Sequence, residues 1–332
     1  MNAHRSILAA VVLLAVSPSA CARLGALPNG LGTALRHDLA HGAARTPGAP
    51  GTLDVRAEGI ALREFPIVLY RPVGVSGRSP GVVFLPGRFA PEDQYESYAR
   101  ALASHGIIVA VRGRYSWFHG DDTLTRDAIH LADWMRARSD VDAAHIAIAG
   151  HSMGGRDAIR AAATDPRFEA VVAIDPGTIQ NLPHATEVLA SLHAPLLLIG
   201  ADQAWRALEF CGRQGTNYTA YFTQAPAGTL ELELHGADHV QVMDRPDDLG
   251  YSVCRAGTSD STAIRNVTRS TVVQFLRAKL QGERVAALPD FGALATWRRR
   301  EPILAPPGVE QQPDRGTAIA ASPLRAEQNA VR

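Results

Sequence analysis

Between Ile146 and Ala163 the chain passes from a strand into a helix through a turn too tight for ordinary residues. Ile146-Ala147-Ile148-Ala149 is a short apolar run that suits a buried strand, and Ala158, Ile159 and Ala162 recur at helical spacing soon afterwards. Only Gly150-His151-Ser152-Met153-Gly154-Gly155 separates the first run from the helix. Side chains two residues either side of the apex would collide as strand and helix close together, which accounts for glycine at 150 and 154. The apex residue, Ser152, is expected in strained backbone, its hydroxyl pushed out at the top of a sheet with a helix N-terminus beneath it. A strand, a sharp turn and a helix in that order call for an α/β architecture.

The flanking sequence repeats that alternation. Gly59 to Arg71 predicts one or two opening strands, and Gly81 to Leu85 a buried strand ending at Pro86-Gly87. Helical spacing follows over Tyr95 to His105, a strand over Gly106 to Val111, and a helix over Leu124 to Arg138. Beyond the tight turn come strands at Ala170 to Ile174, Leu196 to Ile199 and Thr229 to Leu234, then a closing helix over Thr262 to Leu280. Strands alternating with such helices imply right-handed βαβ units, here a mostly parallel central sheet of about eight strands flanked by helices. No insertion is long enough for a large cap domain. The longest connection, Gly200 to Gly228, carries Trp205, Tyr218, Tyr221 and Phe222, readable as a pocket rim or as satellite core packing.

The ends read differently from the middle. Met1 to Arg5 is basic, Ile7 to Val16 is apolar but short for a bilayer span, and Ala20-Cys21-Ala22 fits a cleavage site. Residues 1–22 are thus expected to be an export signal, placing the protein in the periplasm or outside the cell. The alternative is a lipoprotein anchored at Cys21, against which stands Pro18 where an aliphatic residue is expected. Residues 23–52 read as a linker or loosely packed arm, 53–300 as the catalytic domain, and 301–332 as a disordered tail. The run Arg298 to Arg300 reads as a solvated charge run. After cleavage Cys211 and Cys254 remain, and an even count in an oxidising compartment suggests a disulfide, with two buried thiols as the alternative.

Composition excludes several chemistries. The 332 residues carry 33 basic against 33 acidic side chains, which gives no electrostatic footprint for nucleic acid. Every basic residue but Lys279 is arginine, and Lys279 lies in a helical stretch with no Gly-rich turn before it. Phosphate-loop and Schiff-base chemistry both need a lysine in a different setting.

The motif around Ser152 instead points to nucleophilic catalysis, which needs a base and a carboxylate to orient it. Of the 12 histidines, His105, His119, His130 and His145 precede the nucleophile, whereas a sheet of this kind delivers its base last. His151 sits inside the turn and is expected to point away from the Ser152 hydroxyl. His239, in the loop Gly236-Ala237-Asp238-His239 that leaves the last strand, is the candidate base, and His235 still belongs to the strand end. Their i, i+4 spacing would suit a metal on a helix, but Gly236 and the period-2 pattern of Leu230, Leu232 and Leu234 oppose one. Two acids end strands between Ser152 and His239: Asp175 after Val171-Val172-Ala173-Ile174, and Asp202 after the Leu196 run. The pattern leaves both open. Backbone amides of Met153 and Arg88 are the expected oxyanion donors, and no metal or cofactor is required.

The chain resembles the α/β-hydrolase superfamily over roughly residues 60 to 282, and more narrowly the chlorophyllases. The likeness rests on Gly150 to Gly155, Ile174-Asp175-Pro176, Cys211 with Asn217 after it, Tyr221-Phe222, and Gly236, His239, Asp244 and Cys254. The segment is also similar to plasma-type platelet-activating-factor acetylhydrolases. Both families take the triad acid after the sixth strand, which favours Asp175. Met153-Gly154-Gly155 and Pro86-Gly87 are similar to cutinase-like polyester hydrolases, whose acid follows the next strand and would be Asp202. Chlorophyllases usually carry Arg where this chain has Met153, and the strand before the oxyanion loop more commonly ends in His-Gly than in Pro86-Gly87. The resemblance implies a serine esterase acting on small-molecule, lipid or polymer esters. An acyltransferase with the same triad and an inactive, envelope-binding hydrolase fold are the alternatives.

Overall fold

The computed structural model of the chain describes residues 50–115, 122–177, 186–208, 211, 215–248, 250–284 and 287–302. The expected export signal with Cys21, nearly all of the 23–52 arm and the tail beyond 302 lie outside these residues.

Among the described residues nine strands form one sheet, in the order β1-β2-β4-β3-β5-β6-β7-β8-β9. They are β1 (Val55–Ala61), β2 (Pro66–Pro72), β3 (Ser79–Leu85), β4 (Ile108–Arg112), β5 (Val141–His151), β6 (Val171–Ile174), β7 (Leu196–Ala201), β8 (Leu230–Leu234) and β9 (Ala295–Arg299). Strands β3 to β8 run parallel, while β1, β2 and β9 pair antiparallel with their neighbours. The helices among the described residues are α1 (Glu96–Ser104), α2 (Thr123–Arg136), α3 (Met153–Thr164), α4 (Tyr218–Gln224) and α5 (Ser261–Leu280). This is the α/β-hydrolase fold.

Strand periodicity decides which helix packs on which face. Successive residues of a strand point to opposite sides, so a continuous apolar run feeds two cores at once. Val82, Phe84, Ala147, Ala149, Val172, Ile174, Leu197 and Ile199 join Tyr98 and Leu102 of α1 and Ile264, Val272 and Leu276 of α5. Their neighbours Val83, Leu85, Ile146, Ile148, Val171, Ala173, Leu196 and Leu198 join Leu131 and Met135 of α2 and Ala158, Ile159 and Ala162 of α3. Each large side chain buried this way contributes about 1.5–3 kcal/mol. Helix α5 starts where the Asp260 side chain accepts the Ala263 N–H at 2.8 Å and ends with Arg277 and Lys279 in its last turn, where cations oppose the negative end of the helix dipole.

One feature differs from the sequence reading, and one alternative it leaves open is resolved. The sheet gains a ninth strand because Ala295 to Arg299 pairs antiparallel with β8, so Arg298 and Arg299 are strand residues rather than a free charge run. Arg298 lies across the β8 carboxylates, bonding Glu231 and, at 3.2 Å, Glu233. Those two glutamates are what make a basic segment suitable for this edge. Tyr218 and Tyr221 are core residues rather than a pocket rim. The Tyr218 ring occupies the space that a side chain at Gly200 would need, 2.1 Å from its Cβ, and Tyr221 is fully buried against the α3 face. Phe222 is half-buried under the Arg298 guanidinium, whereas Trp205 is exposed.

Candidate active site

Parallel strands present their C-terminal ends along one edge, and three of them deliver the sequence-derived candidates there. Ser152 follows β5, Asp175 follows β6, and His239 lies in the loop leaving β8. Ser152 has φ 56° and ψ −123°, a conformation ordinary residues avoid. A Cβ at Gly150 would stand 2.3 Å from the Gly154 carbonyl oxygen, and one at Gly154 would stand 2.4 Å from that of Leu85. Both contacts are with backbone that cannot move aside, so the turn demands glycine at these two positions.

The Ser152 Oγ lies 2.8 Å from His239 Nε2, and His239 Nδ1 lies 2.5 Å from Asp175 Oδ2. Asp175 is itself strained, at φ 40°, and its other carboxylate oxygen accepts the Ala201 N–H at 3.1 Å. It is 2% exposed and His239 7%, so neither group competes with bulk water for its partner. Asp202 takes a different position. Its carboxylate accepts the Ala237 N–H at 3.2 Å and lies 3.7 Å from His235 Nδ1. The His235 ring reaches Thr296 Oγ1 of β9 at 2.7 Å and does not converge with His239.

His151 does point away from the serine hydroxyl, and its ring makes a bridge that the sequence did not reveal. Its Nε2 lies 2.9 Å from the His239 carbonyl oxygen, which can only accept, so Nε2 carries the proton. Nδ1 therefore accepts from the Tyr95 hydroxyl at 2.8 Å, and the same phenol oxygen accepts the Gly87 N–H at 2.9 Å. The loop after β3, the β5 turn and the backbone of His239 are thereby joined through two buried side chains. Burial, and after it the neighbouring His239 ring, holds His151 well below the usual imidazole range. A neutral His151 would leave His239 free of a like charge were it to take up a proton. Tyr95→Phe strands the Gly87 N–H and His151 Nδ1 in the interior. The expected result is a loss of about 1–3 kcal/mol of stability, read as a lower urea midpoint. An unchanged midpoint would show that the bridge contributes nothing.

Asp238 explains why the loop carrying His239 holds its shape. Its fully buried carboxylate accepts the N–H groups of Val240 and Gln241 on one oxygen, at 3.1 and 3.0 Å. On the other it accepts those of Ala256 and Gly257, at 3.0 and 2.9 Å. The latter turn begins beside Cys254, which is disulfide-bonded to Cys211. Asp244 ties the far end of the loop to α1 by accepting the Ser97 N–H at 2.8 Å. An Asp directly before the candidate base is an Asx-turn signal that sequence reasoning could have used. Tyr95 carries no such signal, because its partners Gly87 and His151 lie in two other segments.

The oxyanion candidates flank the serine. Met153 is the first residue of α3, where the N–H has no acceptor within the helix. A Cβ on Gly87 would stand 3.4 Å from Ser152 Cβ, so the β3 loop runs directly alongside the nucleophile. The Gly87 N–H is committed to Tyr95, which makes the Arg88 N–H the next amide of that loop. Nearby, the Met153 side chain packs with Tyr115 and Leu124.

Comparison with known proteins agrees with the fold. The sequence profile described as chlorophyllase matches residues 53–303. Cutinase 2 of Thermobifida cellulosilytica is 26% identical over 166 residues, covering 48% of this chain and 59% of that protein. Cutinase cut1 of Thermobifida fusca is 26% identical over the same length, covering 48% and 49%. A bis(hydroxyethyl) terephthalate hydrolase of Streptomyces coelicolor is 25% identical over 179 residues, covering 52% and 54%. The chain thus spans between about half and three-fifths of the length of these relatives.

Proposed function

The chain belongs to the chlorophyllase family, and from that premise we propose that it is an exported serine hydrolase of carboxylic esters, with Ser152, His239 and Asp175 as its triad. The observation that carries the reading is the unbroken line from Ser152 Oγ through His239 to Asp175, with contacts of 2.8 and 2.5 Å. Ser152 Oγ attacks the ester carbonyl carbon while His239 Nε2 takes its proton, and Asp175 steadies the resulting imidazolium through Nδ1–H. The negative charge on the carbonyl oxygen is met by the Met153 and Arg88 amides, each worth roughly 100- to 1,000-fold in rate. Collapse of this intermediate breaks the ester bond, and His239 gives its proton to the departing alcohol. A water then attacks the acyl-enzyme, losing a proton to His239, and the acid leaves with Ser152 restored.

Substrates of this reading are small-molecule, lipid or polymer esters, in keeping with the cutinases and the terephthalate-ester hydrolase among the relatives. The Cys211–Cys254 disulfide supports an oxidising compartment. No described helix is long and apolar enough to cross a membrane. A fluorophosphonate probe should label the folded protein once, on the peptide containing Ser152, and p-nitrophenyl esters from acetate to octanoate should be hydrolysed. Folded protein that neither labels nor turns over any of these esters would overturn the reading in favour of a binding module.

A further inference from the structure

We propose that Arg88, supported by Arg114, makes this site select esters that carry an anionic group close to the scissile bond. The inference deepens the esterase reading and rests on it. Arg88 supplies a candidate oxyanion amide from a loop that runs against Ser152, so its side chain starts beside the reacting carbonyl. That side chain is exposed and lies against the residue that follows Ser152: its Nε is 3.4 Å from Met153 Sδ, and its guanidinium stands 5.8 Å from the Phe89 ring centre. A thioether is a weak acceptor and a ring face a modest one, so the guanidinium keeps most of its bidentate donor capacity. Neither contact neutralises its charge.

Arg114 adds a second cation on the same edge. Strands β3 and β4 are parallel neighbours with Phe84 opposite Val111, so Arg88 and Arg114 both emerge just past adjacent strand ends. The backbone carrying Arg114 is pinned, because buried Arg112 donates to the Gly113 and Arg114 carbonyls at 2.9 Å while bonding Asp127 at 2.7 Å. Arg114 itself is exposed. Three described acids near this edge already have partners. Asp93 and Asp248 both pair with Arg245, at 2.6 and 3.1 Å, and Asp175 with His239. The mouth therefore presents fork-shaped cationic donors whose natural complement is a carboxylate, on the acyl or the alcohol side of the ester.

The test compares isosteric pairs at low ionic strength. On the acyl side, 4-nitrophenyl hydrogen adipate is set against its neutral amide, 4-nitrophenyl adipamate. On the alcohol side, 4-acetoxybenzoate is set against 4-acetoxybenzamide. The charged member of at least one pair should show about tenfold higher kcat/KM, the effect of one charge-assisted contact, and 1 M salt should largely erase the preference. The ratio within each protein is the readout, which cancels any general loss of activity. Arg88→Gln should bring that ratio to about one, Arg88→Lys should retain part of it, and Arg114→Gln should lower it a few-fold. A wild-type ratio near or below one in both pairs, or a preference that Arg88→Gln leaves intact, overturns the proposal while turnover of the neutral esters leaves the esterase reading standing. No turnover of any of the four overturns both.

Discussion

Ser152→Ala and His239→Ala are each expected to lower kcat on p-nitrophenyl butyrate by roughly 10^4- to 10^6-fold, and the double variant by hardly more. In the proposed mechanism the two side chains act in one event, since the hydroxyl becomes a nucleophile only as its proton moves along the 2.8 Å contact to His239 Nε2. Removing either end removes the whole event. The remaining activity should still exceed the buffer rate, because the Met153 and Arg88 amides stay in place to receive the oxyanion. Single-turnover and steady-state rates on the three variants check this. Losses that multiply in the double variant would mean that serine and histidine do not work as a unit.

How far the sequence could be read depended on whether a residue's job is local. Ser152 was legible because a strand, two obligatory glycines and a helix surround it within one short stretch, and each glycine answers a backbone contact of 2.3–2.4 Å. The parallel core was legible because every strand from β3 to β7 must feed both faces, which forces continuous apolar runs. Strand β9 was not. Ala295-Thr296-Trp297-Arg298-Arg299 offers only Ala295 and Trp297 as apolar positions, and its place depends on Glu231 and Glu233 of β8, more than sixty residues earlier. Tyr95 was hidden for the same reason, since its hydroxyl is shared by Gly87 and His151 in two other segments. Tyr218 and Tyr221 stay open in the sequence because an aromatic in a long connection has the same pattern whether it lines a pocket or plugs a core.

The acid of the proposed triad is open in the sequence, and it gives the second large effect. Asp175→Asn is expected to lower kcat about 10^4-fold with little change in KM, whereas Asp202→Asn should stay within a few-fold of wild type. An asparagine at 175 places a neutral amide against His239 Nδ1, so the ring loses both its tautomer control and the charge that stabilises its imidazolium. The contact concerned is short, at 2.5 Å, and buried, so solvent cannot substitute for the missing carboxylate. Asp202 is bonded elsewhere. Its carboxylate receives the Ala237 N–H and faces His235, a job that an asparagine Oδ1 also performs, so the expected cost is at most about 1 kcal/mol of stability. Fluorophosphonate labelling rates, measured beside kcat, separate the two outcomes. A slow-labelling Asp175→Asn with a folded near-wild-type urea midpoint supports the assignment. A dead Asp202→Asn with active Asp175→Asn would move the acid to the strand after β6. The base loop would then have to turn His239 away from the contact it makes here, against the four N–H bonds by which Asp238 holds that loop.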